Sequence, residues 1–248
     1  MPGKDITIEV NGIITADTLV YEKLTLNDVY CAYTLNRSGI TFPRFKTGFH
    51  KGDIAGSAEI PSSNGNPRIH TVLNISQVQV QRLAPYIENI EDRFYGLVSG
   101  NADITFVPGE DAVKSMDGSL DVRIENGKLL NTGIQDSLGL ILQPLQYKLS
   151  DLEFQEIYGN VTMDNGVYNI NSLMFNSPNI RMSVNGSINR SNIANLDITL
   201  LFNSAFIQDI PNFAYPQFQR YREGEWYVLP FRVNNKNIME NPQAELVN

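Results

Sequence analysis

Gly118-Ser-Leu-Asp-Val-Arg-Ile-Glu-Asn-Gly127 decides how this chain of 248 residues is read. Leu120, Val122 and Ile124 alternate there with Asp121, Arg123 and Glu125. Alternation with a period of two sends the first set to one face of a strand and the charges to the other. Asn126-Gly127 follows, a pair that tolerates the positive φ of a tight hairpin turn. Downstream the same grammar returns in Ile157 to Met163, the turn Asp164-Asn165-Gly166, Val167 to Phe175, Ile180 to Ile188 and Leu196 to Phe202. Between these strands, Ile134, Leu138, Ile141 and Leu142 form an apolar stripe that predicts a helix over 132–143. Asn131 or Thr132 can cap it, Asp136 suits its early turns, and Pro144 should end it.

Working outward, residues 5–14 alternate with Ile6, Ile8 and Val10 on one side and Thr7 and Glu9 on the other. Leu24 to Tyr33 continues as a strand, Ser38-Gly39 reads as a turn, and Pro43 should sit at a strand end or edge because it has no N–H to give to a ladder. Gly48, Gly52 and Gly56 suggest bulges or close backbone approach. The loop Pro61 to Pro67 marks a candidate subdomain boundary near 61–67. Ile69, Thr71, Leu73 and Ile75 share a strand face. Leu83, Ile87 and Ile90 lie at helical spacing and predict a shorter helical piece near 81–92. In the strand from Gly100 to Val107, Ala102, Ile104 and Phe106 share a face. Asn64-Gly65, Asp117-Gly118 and Asn185-Gly186 are further candidate turns. The segment 206–227 is rich in aromatics, and Trp226 to Val233 reads as the last strand. The fold expected is mostly β, one domain over 1–248: a curved antiparallel sheet of hairpins, open like a taco, with one or two short α-helices.

Hydrophobic residues make up 42% of the chain, which is ordinary for a folded soluble domain. The net charge of −8 opposes binding to a phosphate backbone, so nucleic acid is not an expected partner. One cysteine, Cys31, excludes an intrachain disulfide framework. The start has no signal-peptide pattern, and no apolar run reaches the roughly 18–20 residues that span a bilayer. Strand grammar begins almost at once, so the expectation is a piece of a longer, anchored protein.

Little points to chemistry. His50 and His70 lack metal-site spacing. No nucleophile elbow, P-loop or dinucleotide fingerprint occurs. The acidic clusters Asp151, Glu153, Glu156 and Glu88, Glu91, Asp92 contain carboxylates of the kind that hydrolyse glycosides, but charge runs of this kind normally face water. The chain is expected not to be an enzyme and to need no cofactor.

What remains is apolar surface. A sheet with one greasy face must bury it against a second sheet, a helix or a ligand. A helix of about a dozen residues spans only about 18 Å and does not cover the faces of ten or so strands. A dry sandwich is one solution, and a groove occupied by acyl chains is another. The candidate lining is Ile104, Phe106, Ile180, Met182, Val184, Leu196, Ile198, Leu200 and Phe202.

Ordered motifs shift the balance towards the groove. Asp117-Gly-Ser-Leu-Asp-Val-Arg-Ile-Glu-Asn-Gly-Lys128 is followed by the stripe with Ile134 and Leu138, then by Phe154 to Val167, Leu173-Met-Phe-Asn-Ser-Pro178, Val184-Asn-Gly-Ser-Ile188, Leu196 to Leu200, Leu229-Pro-Phe-Arg-Val233 and Asn241-Pro242. This order resembles the C-terminal region of the AsmA-like family of Gram-negative envelope proteins, and Leu24 to Ile60 resembles the β-hairpin repeats before it. The resemblance implies a periplasmic body attached to the inner membrane through a segment that this chain lacks. It implies a role in phospholipid movement between inner and outer membranes and in outer-membrane assembly, with acyl lipid as partner. It brings no catalytic residues. The alternative is a structural or interaction domain of the envelope that contacts other proteins through 206–227.

Overall fold

The structure is a computed structural model in which residues 8–21, 24–63, 65–83, 92–109, 112–130, 151–203, 216, 219–237 and 245–247 are described. The strands are β1 (Val10–Tyr21), β2 (Leu24–Asn36), β3 (Gly39–Phe49), β4 (Gly52–Pro61), β5 (Ile69–Gln79), β6 (Phe94–Phe106) and β7 (Asp117–Leu129). They are followed by β8 (Leu152–Asp164), β9 (Val167–Asn176), β10 (Ile180–Ile188), β11 (Ile193–Asn203), β12 (Arg222–Glu223), β13 (Trp226–Asn237) and β14 (Glu245–Leu246). Hydrogen-bonded neighbours follow chain order from β1 to β11; β13 then joins β11, and both β12 and β14 pair with β13. The fold is mostly β, and the registered pairs are antiparallel.

The expected α-helices are not borne out among the described residues. Away from the two expected segments Pro216 and Gln219 are helical, and two short 3-10 turns, Val80–Leu83 and Val113–Ser115, are found. In the first, strand alternation wins over helical spacing: Val78 and Val80, two apart, are both buried, so the strand pattern runs into the turn. The stripe at 132–143, and Ile87 and Ile90 of the second expectation, lie outside the described residues.

Two compact units share the chain, and the long strands β5 to β8 give residues to each. The first contains residues 1–78, 99–120 and 163–166. Its core is a meander of β1 to β5 with a clear two-sided register. Ile14, Cys31, Phe45, Gly56 and Leu73 are cross-strand partners on one face. Thr15, Tyr30, Lys46, Ala55 and Asn74 are partners on the other. Polar contacts hold that second face: Lys46 lies 3.6 Å from Asp53, Asn74 Nδ2 donates to Asn101 Oδ1 at 2.8 Å, and His70 Nε2 lies 2.8 Å from Asp103 Oδ1. The loop near 61–67 does not separate folding partners here, because β4 and β5 on its two sides pair with each other.

Pro43 lies inside β3 rather than at its end. The register slips beside it on both sides, between Ala32 and Thr34 towards β2 and between Phe42 and Phe45 towards β4. A bulge takes a residue out of the ladder, so a missing N–H costs nothing there.

The second unit holds residues 79–98, 121–162 and 167–248. Its core is Leu129, Leu152, Phe154, Phe175, Ile180, Leu200, Phe202, Tyr227, Leu229 and Phe231. Phe154 is the aromatic centre, with ring centroids 6.2 Å from Phe94 and 5.6 Å from Phe175. The outward residues of β7 are tied across strands. Asp121 accepts from Asn160 Nδ2 at 2.8 Å, Asn160 in turn accepts from Asn171, and Arg123 lies 3.4 Å from Glu156. The alternation read in Gly118 to Gly127 holds from Leu120 to Ile124, where Leu120, Val122 and Ile124 are half-buried and Asp121 and Arg123 exposed, and fails at Glu125, which is half-buried beside the irregularity at Asn126.

The candidate turns divide. Asn165-Gly166 connects β8 to β9 with φ of 49° and 72°, the backbone of a tight hairpin. Asp117-Gly118, Asn126-Gly127 and Asn185-Gly186 are not turns but lie inside β7 and β10. At Asn126, φ is 51°, and the buried set moves from Ile124 to Gly127 and Leu129, a slip of one residue. At Gly186, φ is 135° and the register with β9 shifts. The same residue pair thus serves as turn or bulge, since both need a backbone that side chains resist. Asn64 lies outside the described residues.

Candidate functional site

Each of the seven candidate residues on β10 and β11 falls on one face of the second unit, and the register shows why. Partners in an antiparallel ladder point the same way. Ile180 faces Phe202, Met182 faces Leu200, Val184 faces Ile198, and Gly186 faces Leu196. The rows extend to both neighbours. Met182 and Val184 meet Phe175 and Leu173 of β9. Phe202, Leu200, Ile198 and Leu196 meet Tyr227, Leu229, Phe231 and Val233 of β13. Four strands therefore present an apolar ladder with no charged residue in its Phe175-Met182-Leu200-Leu229 and Leu173-Val184-Ile198-Phe231 rows.

Burial along this face is uneven. Leu200 and Phe202 have no exposed surface, and Ile180 and Val184 keep 5% and 7%. These four are core. Met182, Leu196 and Ile198 are half-buried, and Met182 and Ile198 lean on the core cluster from its margin. Gly186 brings no Cβ to the row that holds Leu196, so nothing projects beside that side chain from β10, while Val233 flanks it from β13. The face is thus closed at Ile180-Phe202 and looser towards Leu196.

Ile104 and Phe106 belong to the first unit, where both are half-buried on β6 and Ala102 on the same face is buried. The seven and the two are therefore sets within separate units. The first unit also leaves large apolar side chains uncovered: Ile8, Val10, Ile13, Ile14, Leu19, Val20, Leu35 and Val72. The β9 and β13 partners were missed from sequence for a simple reason. Tyr227, Leu229, Phe231 and Val233 alternate visibly, but which strand lies opposite is a property of register.

The opposite face of β10, β11 and β13 is mixed, with Leu201 against Val228 among polar and charged residues. Arg232 Nε donates to Asp197 Oδ1 at 2.7 Å, and the Arg181 guanidinium sits 4.4 Å from the centre of the Trp226 ring. Of the aromatic stretch 206–227, the described part contributes Tyr221, Trp226 and Tyr227 to this unit.

Of the described acidic residues, Asp151 and Glu153 are exposed, and Glu156 and Asp92 are engaged with neighbours. Glu156 accepts from Asn176 Nδ2 at 3.0 Å besides its pairing with Arg123, and Asp92 accepts from the Tyr95 hydroxyl at 3.4 Å. Glu88 and Glu91 lie outside the described residues. Among the described residues, no three His, Cys, Asp or Glu side chains are grouped to hold a metal ion. Burial pushes the Cys31 thiol up from its ordinary value, which keeps it protonated at neutral pH. No helix among the described residues is long and apolar enough to cross a membrane.

These features define a class: an antiparallel β protein that keeps a half-covered apolar ladder on one face and charged and hydrogen-bonding residues on the other. The AsmA family model matches residues 3–173, more than half of the sequence, and the chain belongs to the AsmA family. The match covers β1 to β8 and most of β9, and ends before β10. No curated protein matches the chain, and no solved structure does.

Proposed function

We propose that this chain binds acyl lipid on its apolar β face and acts, without enzymatic chemistry, in phospholipid movement between the inner and outer membranes and in outer-membrane assembly. Membership of the AsmA family supports an envelope role of this kind. The observation that carries the reading is the ladder of β9, β10, β11 and β13, whose Met182, Leu196 and Ile198 stay half-buried beside a closed core. Half-covered aliphatic side chains gain from contact with hydrocarbon, at about 0.8 kcal/mol per CH₂ taken from water. In this reading the body works in the periplasm, held to the inner membrane by a segment outside the given sequence. Lipid moves down its own gradient along an apolar groove.

Titration with a fluorescent fatty-acid analogue tests this. Ile198→Asp and Leu196→Asp should each weaken uptake at least tenfold, while circular dichroism shows the native β signal. Both sites keep part of their surface in water, so a folded variant is attainable. Undiminished uptake by both folded variants removes this face from the site. No uptake by the parent chain leaves the envelope scaffold as the function.

A further inference from the structure

Beside the β2–β3 turn the first unit holds a cavity of about 300 Å³, the low end of the size that takes a small molecule. Thr41, Glu59 and His70 line it from β3, β4 and β5. They are cross-strand partners and so share one face. Asn36 and Ser38 line it from the turn, which is tied down twice. The Ser38 N–H donates to Asn36 Oδ1 at 2.8 Å, and the Ser62 N–H donates to the Ser38 carbonyl at 2.6 Å. Arg68, two residues before His70, adds a cation to the lining.

The polar groups divide into those engaged and those available. His70 Nε2 lies 2.8 Å from Asp103 Oδ1, which fixes the ring as a wall. Arg68 meets Asp117 through one nitrogen of its fork, and Asp117 Oδ1 also accepts the Asn165 N–H at 2.6 Å. The guanidinium has further donors, and 51% of the Arg68 side chain is exposed. An ion pair so open to water is weak, so Asp117 orients Arg68 without consuming its charge. Glu59 is different. It is exposed, and among the described residues its carboxylate has no hydrogen bond and no ion pair. The Thr41 hydroxyl has no hydrogen-bond partner there either. Glu59 is opposite His70, so Arg68 stands on its diagonal, where antiparallel backbones are about 7–8 Å apart.

A cavity lined by an unpaired carboxylate, a guanidinium and hydroxyls suits a ligand with charges of both signs a short link apart. We propose that it binds a phosphoethanolamine group. Glu59 takes the ammonium, Arg68 takes the phosphate, and the Ser38 and Thr41 hydroxyls donate to the remaining phosphate oxygens. A phosphate fits better than a carboxylate because it has oxygens for the fork and for the hydroxyls. A plain anion fits less well, since Glu59 repels it. The site belongs to the first unit and is independent of the apolar ladder of the second.

Two-dimensional NMR of the chain titrated with phosphoethanolamine tests this. Amide shifts should cluster at 36–41, 59–61 and 68–70. Glu59→Gln should weaken binding of phosphoethanolamine roughly tenfold or more and leave that of glycerol phosphate no weaker. Arg68→Gln should weaken both to a similar degree. Ile198→Asp should change neither, so failure of this site and failure of the lipid face are read apart. No shifts in the parent chain, shifts confined to other segments, or equal affinity in the parent and Glu59→Gln overturns the proposal. Glu59 has no side-chain partner to lose among the described residues, so Glu59→Gln decides even if Arg68→Gln does not fold. Displacement of the probe by phosphatidylethanolamine vesicles, and not by phosphatidylglycerol vesicles, assigns the group to a lipid head. A probe that neither displaces assigns it to a free or glycan-borne phosphoethanolamine, and equal displacement by both overturns the choice of a zwitterion.

Discussion

At the scale of single residues, the structure turns on positions where backbone geometry or complete burial leaves no freedom. Gly166 follows Asn165 in the β8–β9 turn with φ of 72°. A side chain in that region costs roughly 1–2 kcal/mol, so Gly166→Ala should lower unfolding stability in urea by about that amount. A loss below a few tenths of a kcal/mol would mean that the turn is not built as described. Leu200, with no exposed surface, sits between Met182 and Leu229 in the core of the second unit. Leu200→Ala should cost about 2–5 kcal/mol, through lost transfer energy and the cavity left behind. Cys31 makes a chemical prediction. With its thiol held above the ordinary range by burial, iodoacetamide at neutral pH should modify it more slowly in the folded chain than in urea, and faster alkylation in the folded state would contradict that environment.

At the scale of elements, the strands were legible and their junctions were not. Period-two patterning locates β7 to β11, because a strand with one wet face must alternate. It also placed Asp121 and Arg123 outward, where both find partners on β8. Two Asn-Gly pairs and one Asp-Gly pair misled because bulge and hairpin make the same demand on φ, and only the surrounding ladder separates them. Pro43 misled likewise: its lost hydrogen bond is absorbed by a bulge in the middle of β3. The bulge in β7 gives a test of that account. In Gly127 a Cβ would run into the Phe154 ring and the Tyr95 carbonyl. Gly127→Val should therefore destabilise by several kcal/mol, more than Gly65→Val, where nothing lies within 4 Å. Equal melting temperatures for the two variants would contradict it.

At the scale of the whole molecule, the candidate site was legible in part. The seven residues on β10 and β11 were found from alternation alone, and the register confirms that they share a face. Alternation does not reveal depth. Leu200 and Phe202 proved to be core, while Leu196 and Ile198 kept surface, because burial depends on which strands flank a rung. Nor does alternation show that Ile104 and Phe106 fall in a different compact unit from the other seven. Family membership is shown over residues 3–173, which end before β10, so the reading of this half-covered face as a lipid site rests on its own geometry. The central claim is that hydrocarbon completes that cover. Native mass spectrometry of the gently purified chain tests it most directly: the account predicts a population carrying acyl lipid that Ile198→Asp loses, and a chain that emerges bare, and stays bare after incubation with phospholipid vesicles, would contradict it.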